Sequence, residues 1–383
     1  MTAQRALLLN VLRDPGEMGE LSLAAWDTLL RTSRLAGVSH SLAVEAERLQ
    51  LLPAVPPQVQ PHLEAACVLA EREASVVRWE VECLRQVLAP INAPVVLLKG
   101  AAYVMADLPP ARGRMSSDID ILVPREKLAA AEQALLASGW VVGNLDPRDQ
   151  RYFRDWLHEL PPLKHRLRRT VLDVHHTILP LTDRLQLDPQ LLFAEARPID
   201  GSWQTAGAAI SVLSSADMVL HSAAHLFRNG DFTHSLRDLW DMDRLLRTFA
   251  ARAGFWQRLL DRAAQLDLRW PCYCACRFAG RYFHTPIPDG VAQQVEAWRP
   301  TWPNVPVLDA LVDRALLPRE IDRPDWPRNL AIGALSHWPV PRLRAMFSPL
   351  FWTKRLPQHR SDVARRQSQR EIEPAKALEQ ADE

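Results

Sequence analysis

The stretch V-V-L-L-K-G-A-A-Y (Val95–Tyr103), followed by a loop and then R-M-S-S-D-I-D-I-L-V (Arg114–Val123), decides how this chain folds. Val95 to Leu98 are apolar and partly β-branched, and Lys99-Gly100 follows at once. That pattern predicts a buried strand breaking into a glycine turn, with a helix beginning near Ala101. Residues 119–123 predict a second apolar strand, interrupted only by Asp120. Asp118 and Asp120 stand two apart, so on a strand both carboxylates point to one face. Like charges side by side among Ile119, Ile121, Leu122 and Val123 repel each other and resist desolvation. A hard divalent cation is the common way to neutralise such a pair, and oxygen donors at this spacing suit magnesium.

An Asp-x-Asp pair by itself fits better an acid facing solvent from a half-exposed sheet. Three neighbours shift the balance. Lys99-Gly100 ends the preceding strand, Arg114 lies four residues before the pair, and Asp173 sits at the centre of the apolar run V-L-D-V-H-H. Three carboxylates on strands, with a glycine turn and basic groups nearby, match what phosphoryl transfer needs. Asp118, Asp120 and Asp173 are therefore the candidate catalytic and metal-ligating residues.

Composition sets the frame. The chain has 383 residues, enough for two or three domains, with 48% hydrophobic and 24% charged residues, ordinary for a soluble globular protein. A formal net charge of +1 gives no global field that would announce nucleic acid or an anionic membrane. The basic residues are nearly all arginine, which makes Lys99 beside Gly100 conspicuous. The five cysteines follow no framework spacing and fit a reducing compartment. C-x-C-x-C at Cys272, Cys274 and Cys276 is too tight for zinc pairs and reads as buried small residues. No window reaches the roughly 18 apolar residues of a membrane span, and the N-terminus lacks a signal-peptide cleavage region. The expectation is a cytoplasmic protein.

Read in order, residues 1–90 predict an N-terminal helical region, including an amphipathic helix from His62 to Leu88 after the proline-rich linker Leu51–Pro61. Residues 91–200 predict an α/β core: strand 95–98, helix 101–107, strand 119–123, helix Arg125–Ser138, strand Trp140–Val142, a loop with a helical turn over 144–157, and strands at 160–168 and 170–176. Residues 201–356 read as a helical domain, with helices over 254–266, 268–283, 306–316 and 328–336. Residues 357–383 read as a polar, disordered tail. The fold class expected is α+β, a small mixed β-sheet core flanked by helical regions.

L-L-K-G-A-A, R-M-S-S-D-I-D-I-L-V and L-D-V-H-H, together with H-L-F-R-N-G-D-F-T-H-S-L-R-D-L-W-D-M-D-R-L-L, resemble the uncharacterised nucleotidyltransferase family of the DNA polymerase beta superfamily. The likeness covers roughly residues 40–290. Gly100-Ala101 stands where the wider superfamily has Gly-Gly or Gly-Ser, which leaves phosphate contact to Lys99. The resemblance implies transfer of a nucleoside monophosphate from an NTP to an acceptor, a small molecule, sugar, protein or RNA end, with release of pyrophosphate. It implies two magnesium ions about 3.5–4 Å apart on Asp118 and Asp120, with Asp173 holding the catalytic ion and acting as general base. Lys99, Gly100, Arg114 and Ser117 are implied as nucleotide-binding, as are Arg237 and Asp238 on a helix closing over the nucleotide. The competing reading is an inactive nucleotide-binding or scaffold protein that keeps the fold.

Other residues carry weaker signals. His175 shares a strand face with Asp173 and could orient an acceptor or sit on a plain surface strand. His221 and His225 are four apart on a helix, but no Glu follows His221 as a zincin requires, so both read as packed or substrate-facing, with His225 the acceptor candidate. Arg237 and Asp241 have the spacing of a helix ion pair. The basic run Lys354–Arg360 reads as a solvated tail.

Overall fold

The computed structural model describes residues 2–316 except 144–145, 182, 184, 186, 200–208, 229–231, 233 and 300–304, and also residues 331, 332 and 335. Within them the chain opens with α1 (Ala3–Arg13), α2 (Leu23–Ala36), α3 (Ser39–Arg48) and α4 (Gln60–Leu88). The middle holds β1 (Val95–Leu98), α5 (Lys99–Met105), β2 (Ile119–Leu122), α6 (Leu128–Ala137), β3 (Trp140–Val142) and α7 (Pro147–Trp156). It continues with β4 (Leu163–His165), β5 (Val171–His175), α8 (Gln190–Ala194), β6 (Arg197–Pro198) and β7 (Ile210–Val212). Helices α9 (Ser215–Arg228), α10 (Ser235–Ala250), α11 (Phe255–Gln265), α12 (Arg269–Phe283), α13 (Asp289–Glu296) and α14 (Val305–Leu316) follow.

The fold is α+β, as the patterning predicts. The strands form one mixed sheet in the order β3-β4-β5-β2-β1-β7-β6. β1 and β2 run antiparallel, while β2 pairs in parallel with β5 and β1 with β7. Val95 to Leu98 are entirely buried, and so is every residue of β2. Central strands covered on both faces read as unbroken apolar runs, which is why Asp120 stands out. On the N-terminal side α4 packs against α3, α5 and α6; on the other, α9 packs against α10, α11 and α12.

Four sequence expectations change. Residues 147–156, expected to hold no more than a helical turn within a loop, form the ten-residue helix α7. The strands expected at 160–168 and 170–176 are shorter, because the turn 166–169 needs a left-handed residue, supplied by Arg169 (φ 66°). The region after residue 200, read as wholly helical, contributes β7, which adds to the sheet beside β1. Helix α4 starts at Gln60, because Pro61 fits the first turn of a helix, where its missing N–H leaves no bond unmade. The helix expected at 328–336 falls mostly, and the basic run Lys354–Arg360 and the tail 357–383 fall wholly, outside the described residues. Cys272, Cys274 and Cys276 are buried and free, as read. No helix among the described residues is long and apolar enough to cross a membrane.

Two close approaches fix the loop between α5 and β2. A Cβ on Gly113 (φ +71°) would lie 2.5 Å from the Ser41 Cα of α3. A Cβ on Gly100 would lie 2.5 Å from Ser116 Oγ and 2.7 Å from Arg114 Nη1. Glycine at each position therefore lets the loop lie flat, against α3 at one end and α5 at the other. That seating carries Arg114 and Asp118 to the mouth of the sheet.

Candidate active site

The ladder between β2 and β5 sets the geometry. Asp120 and Asp173 are directly paired across these parallel strands, so their side chains share one face. Asp118 precedes β2 on the same face by the period of two. The three acids expected together are thus brought together. Asp120 is buried, 3% exposed, while Asp118 and Asp173 are half-buried.

Lys99 follows β1, antiparallel to β2, and its ammonium donates to Asp120 Oδ1 at 2.9 Å. The Lys99 backbone is left-handed, φ 45°, a conformation that costs a non-glycine residue of order 1–3 kcal/mol and is held here by the packed turn. His175 Nε2 lies 3.0 Å from the same Asp120 oxygen. Asp120 Oδ1 is therefore engaged twice. Burial opposes the charge on Asp120, but Lys99 and His175 outweigh it and hold its carboxyl well below the usual range. Asp173 is the opposite case: burial, then the nearby Glu159, Asp120 and Asp118 carboxylates, push it well above. Asp118 is also raised, by burial and then by Asp120. Asp173 Oδ1 is buried without a hydrogen-bond partner.

A second cluster forms the facing wall. Arg114 Nε donates to Asp241 Oδ2 at 2.8 Å, and Arg114 Nη2 lies 3.7 Å from Asp238 Oδ1. Asp238 also pairs with Arg237 at 3.1 Å, and Arg237 Nη1 reaches the Met115 carbonyl at 3.4 Å. Asp241 is hence not the helix partner of Arg237 that its spacing suggests; a residue more than a hundred positions earlier takes it. Tyr103 and Ser222 share a 2.6 Å hydroxyl hydrogen bond deeper in the same wall.

Between the walls runs an open cleft, about 730 Å³ of empty space counting the solvent at its mouth. Lys99, Gly100, Arg114, Ser117, Asp118 and Asp120 line it, and so do His225, Arg237 and Asp238 from α9 and α10. Asp173 and His175 lie beside Asp120 rather than on the lining; His175 is buried, 3% exposed. It is therefore not placed on an open strand surface, and its contact is the carboxylate. His221 is also buried, with burial and then Lys99 pushing its pKa well down. Sequence reasoning missed Asp241 as a site residue, and Tyr103, Ser222, His234 and Glu159 altogether. No spacing rule ties these to the acids, because each reaches the site through tertiary packing.

The arrangement offers oxygen donors on one wall and guanidinium and ammonium groups close by. Asp118, Asp120 and Asp173 could hold a hard cation; Lys99, Arg114 and Arg237 could face an anion. Comparison with known proteins bears on this. Neither the curated proteins nor the solved structures searched returned a match. A family profile described as "Uncharacterised nucleotidyltransferase" matches residues 22–284, a span that includes every residue placed at the cleft. The chain belongs to this nucleotidyltransferase family.

Proposed function

We propose that the protein is a magnesium-dependent nucleotidyltransferase that moves a nucleoside monophosphate from an NTP to a hydroxyl or similar group of an acceptor, with release of pyrophosphate. The observation that carries this reading is the pairing of Asp120 with Asp173 on adjacent strands, with Asp118 at the mouth, opposite Arg114 and Arg237.

The residues fit magnesium. The three acids offer only oxygen donors, and Asp173 Oδ1 is buried with its lone pairs unused. Electrostatics point the same way. Lys99, Arg114 and Arg237 share the cleft lining with Asp118, Asp120, Asp238 and Asp241, so carboxylates outnumber fixed cations. A triphosphate entering such a cleft would be repelled unless divalent cations accompanied it. Asp118, Asp173 and the free oxygen of Asp120 would hold the magnesium. Bound there, it would neutralise the carboxylates and withdraw charge from the triphosphate oxygens.

The chain's own residues supply the rest. Asp173, its affinity for a proton raised by burial and neighbouring acids, is suited to take the proton of the acceptor hydroxyl. Lys99 and Arg114 offset charge developing on the leaving pyrophosphate. Arg237 and Asp238 position the nucleotide from α10. Incubation with an α-³²P-labelled NTP, magnesium and a cell extract tests the reading. Wild type is expected to transfer label to an acceptor and Asp118→Asn to transfer none; equal transfer by the variant would refute the site. Asp120→Ala is the poorer probe, because it strands Lys99 and His175 without their shared partner.

A further inference from the structure

His175 has two ring nitrogens, and the carboxylate cleft accounts for one of them. Nε2 lies 3.0 Å from Asp120 Oδ1, so that carboxylate occupies one nitrogen and the ring turns Nδ1 inward. Nδ1 is buried and makes no hydrogen bond, yet it sits 3.3 Å from Glu159 Oε2. A ring nitrogen this close to a buried carboxylate oxygen needs a cation between them, a proton or a metal ion. His158 completes the surroundings. Its Nε2 is 3.9 Å from the same Glu159 oxygen, and its ring lies against that of His175 with centroids 5.2 Å apart.

We propose that His158, Glu159 and His175 bind one divalent transition-metal ion, with zinc the best match to the donors. Two imidazoles and a carboxylate are a donor set of zinc and its neighbours, whereas magnesium takes oxygens. The three donor atoms lie within 4.8 Å of one another, and the residues are 5%, 8% and 3% exposed. Zinc bonds of about 2.0–2.1 Å place tetrahedral ligand atoms roughly 3.3 Å apart, which the Glu159–His175 pair already meets. The backbone holds the segment in place: His176 N donates to His158 O at 2.9 Å, Leu160 N to Val174 O at 2.8 Å, and Glu159 forms a β-bridge with His175. Asp120 then acts as the carboxylate that orients a metal-bound histidine. The metal would lock His175 and, through it, the rotamer of Asp120. This site stands on its own donors and does not depend on nucleotidyl transfer.

The test reads metal, not transfer. Full-length protein is loaded with zinc, freed of excess by gel filtration and analysed for bound metal, and cobalt(II) is substituted for its visible spectrum. Wild type and Asp118→Asn are expected to retain about one equivalent, with a four-coordinate cobalt spectrum. His158→Gln and Glu159→Gln are expected to weaken binding by at least ~10-fold. ¹⁵N imidazole spectra of the wild type supply the readout if a variant fails to fold: zinc is expected to shift Nδ1 of His175. Three results would each overturn the site. They are wild type that binds no zinc, zinc lost from Asp118→Asn but kept by His158→Gln, and an unmoved His175 Nδ1. Because neither readout needs an NTP, a failure here is separable from a failure of the proposed activity.

Discussion

Removal of the Arg114 guanidinium probes the link between the loop before β2 and α10. Arg114 is 9% exposed, Asp241 5% and Asp238 15%. In Arg114→Met, Asp238 keeps Arg237 at 3.1 Å, but Asp241 loses its 2.8 Å partner. Breaking a buried pair from one side costs about 3–5 kcal/mol, since the remaining charge is left unpaired. Asp241→Asn alone removes a charge-assisted hydrogen bond while Arg114 keeps Asp238, for about 1.5–3 kcal/mol. In the double variant the stranded carboxylate is gone, so its loss should fall short of the sum by about 0.5–3 kcal/mol. Urea denaturation of all four proteins, followed by tryptophan fluorescence, gives the coupling. Losses additive to within about 0.5 kcal/mol would refute the pairing, and so would a loss below about 1 kcal/mol for Arg114→Met.

Gly100→Ala should lose about 1–3 kcal/mol, because its methyl group meets Ser116 and a guanidinium already fixed by two acids; denaturation midpoints check this, and an unchanged midpoint would contradict it. Glu80 is fully buried and accepts from Arg168 Nε at 2.7 Å and Thr170 Oγ1 at 2.6 Å, tying α4 to the β4–β5 turn. Glu80→Ala should lose about 3 kcal/mol by urea titration, the low end for a buried pair because Arg168 can reach solvent. Burial disfavours ionised Asp238, but Arg237 and Arg114 outweigh it and hold its pKa below the ordinary value. A lowered folded pKa gives stability that is full above the unfolded value of about 3.9 and is lost as pH falls through the folded one. Stability should therefore fall less steeply below pH ~4 in Asp238→Asn than in wild type, as melting curves across that range would record.

Much of the site follows from periodicity. A period of two put Asp118 and Asp120 on one face, and the apolar run around Asp173 marked another strand. What periodicity cannot supply is pairing. That β5 lies beside β2, with β3 and β4 beyond it, is a long-range choice, and it alone makes Asp173 a neighbour of Asp120. Asp241 shows the opposite hazard. Its spacing from Arg237 obeys a local helix rule, yet buried Arg114 offers the stronger contact. The charged, aromatic residues of α7 disclose only a helical turn, because they hide the apolar spacing of a longer helix. β7 is three residues long, too short for alternation to register, and the sheet edge left by β1 recruits it. His158 and Glu159 lie in no regular element, so only an isolated bridge discloses them.

The claim that three acids act as one catalytic centre is met most directly by Asp173→Asn, which preserves shape and removes the charge. Nucleotide affinity and the rate of label transfer are measured side by side. The expected result is a nucleotide dissociation constant within about threefold of wild type and a transfer rate lower by at least ~100-fold, the loss typical of a missing general base. Transfer by Asp173→Asn at the wild-type rate would contradict the account.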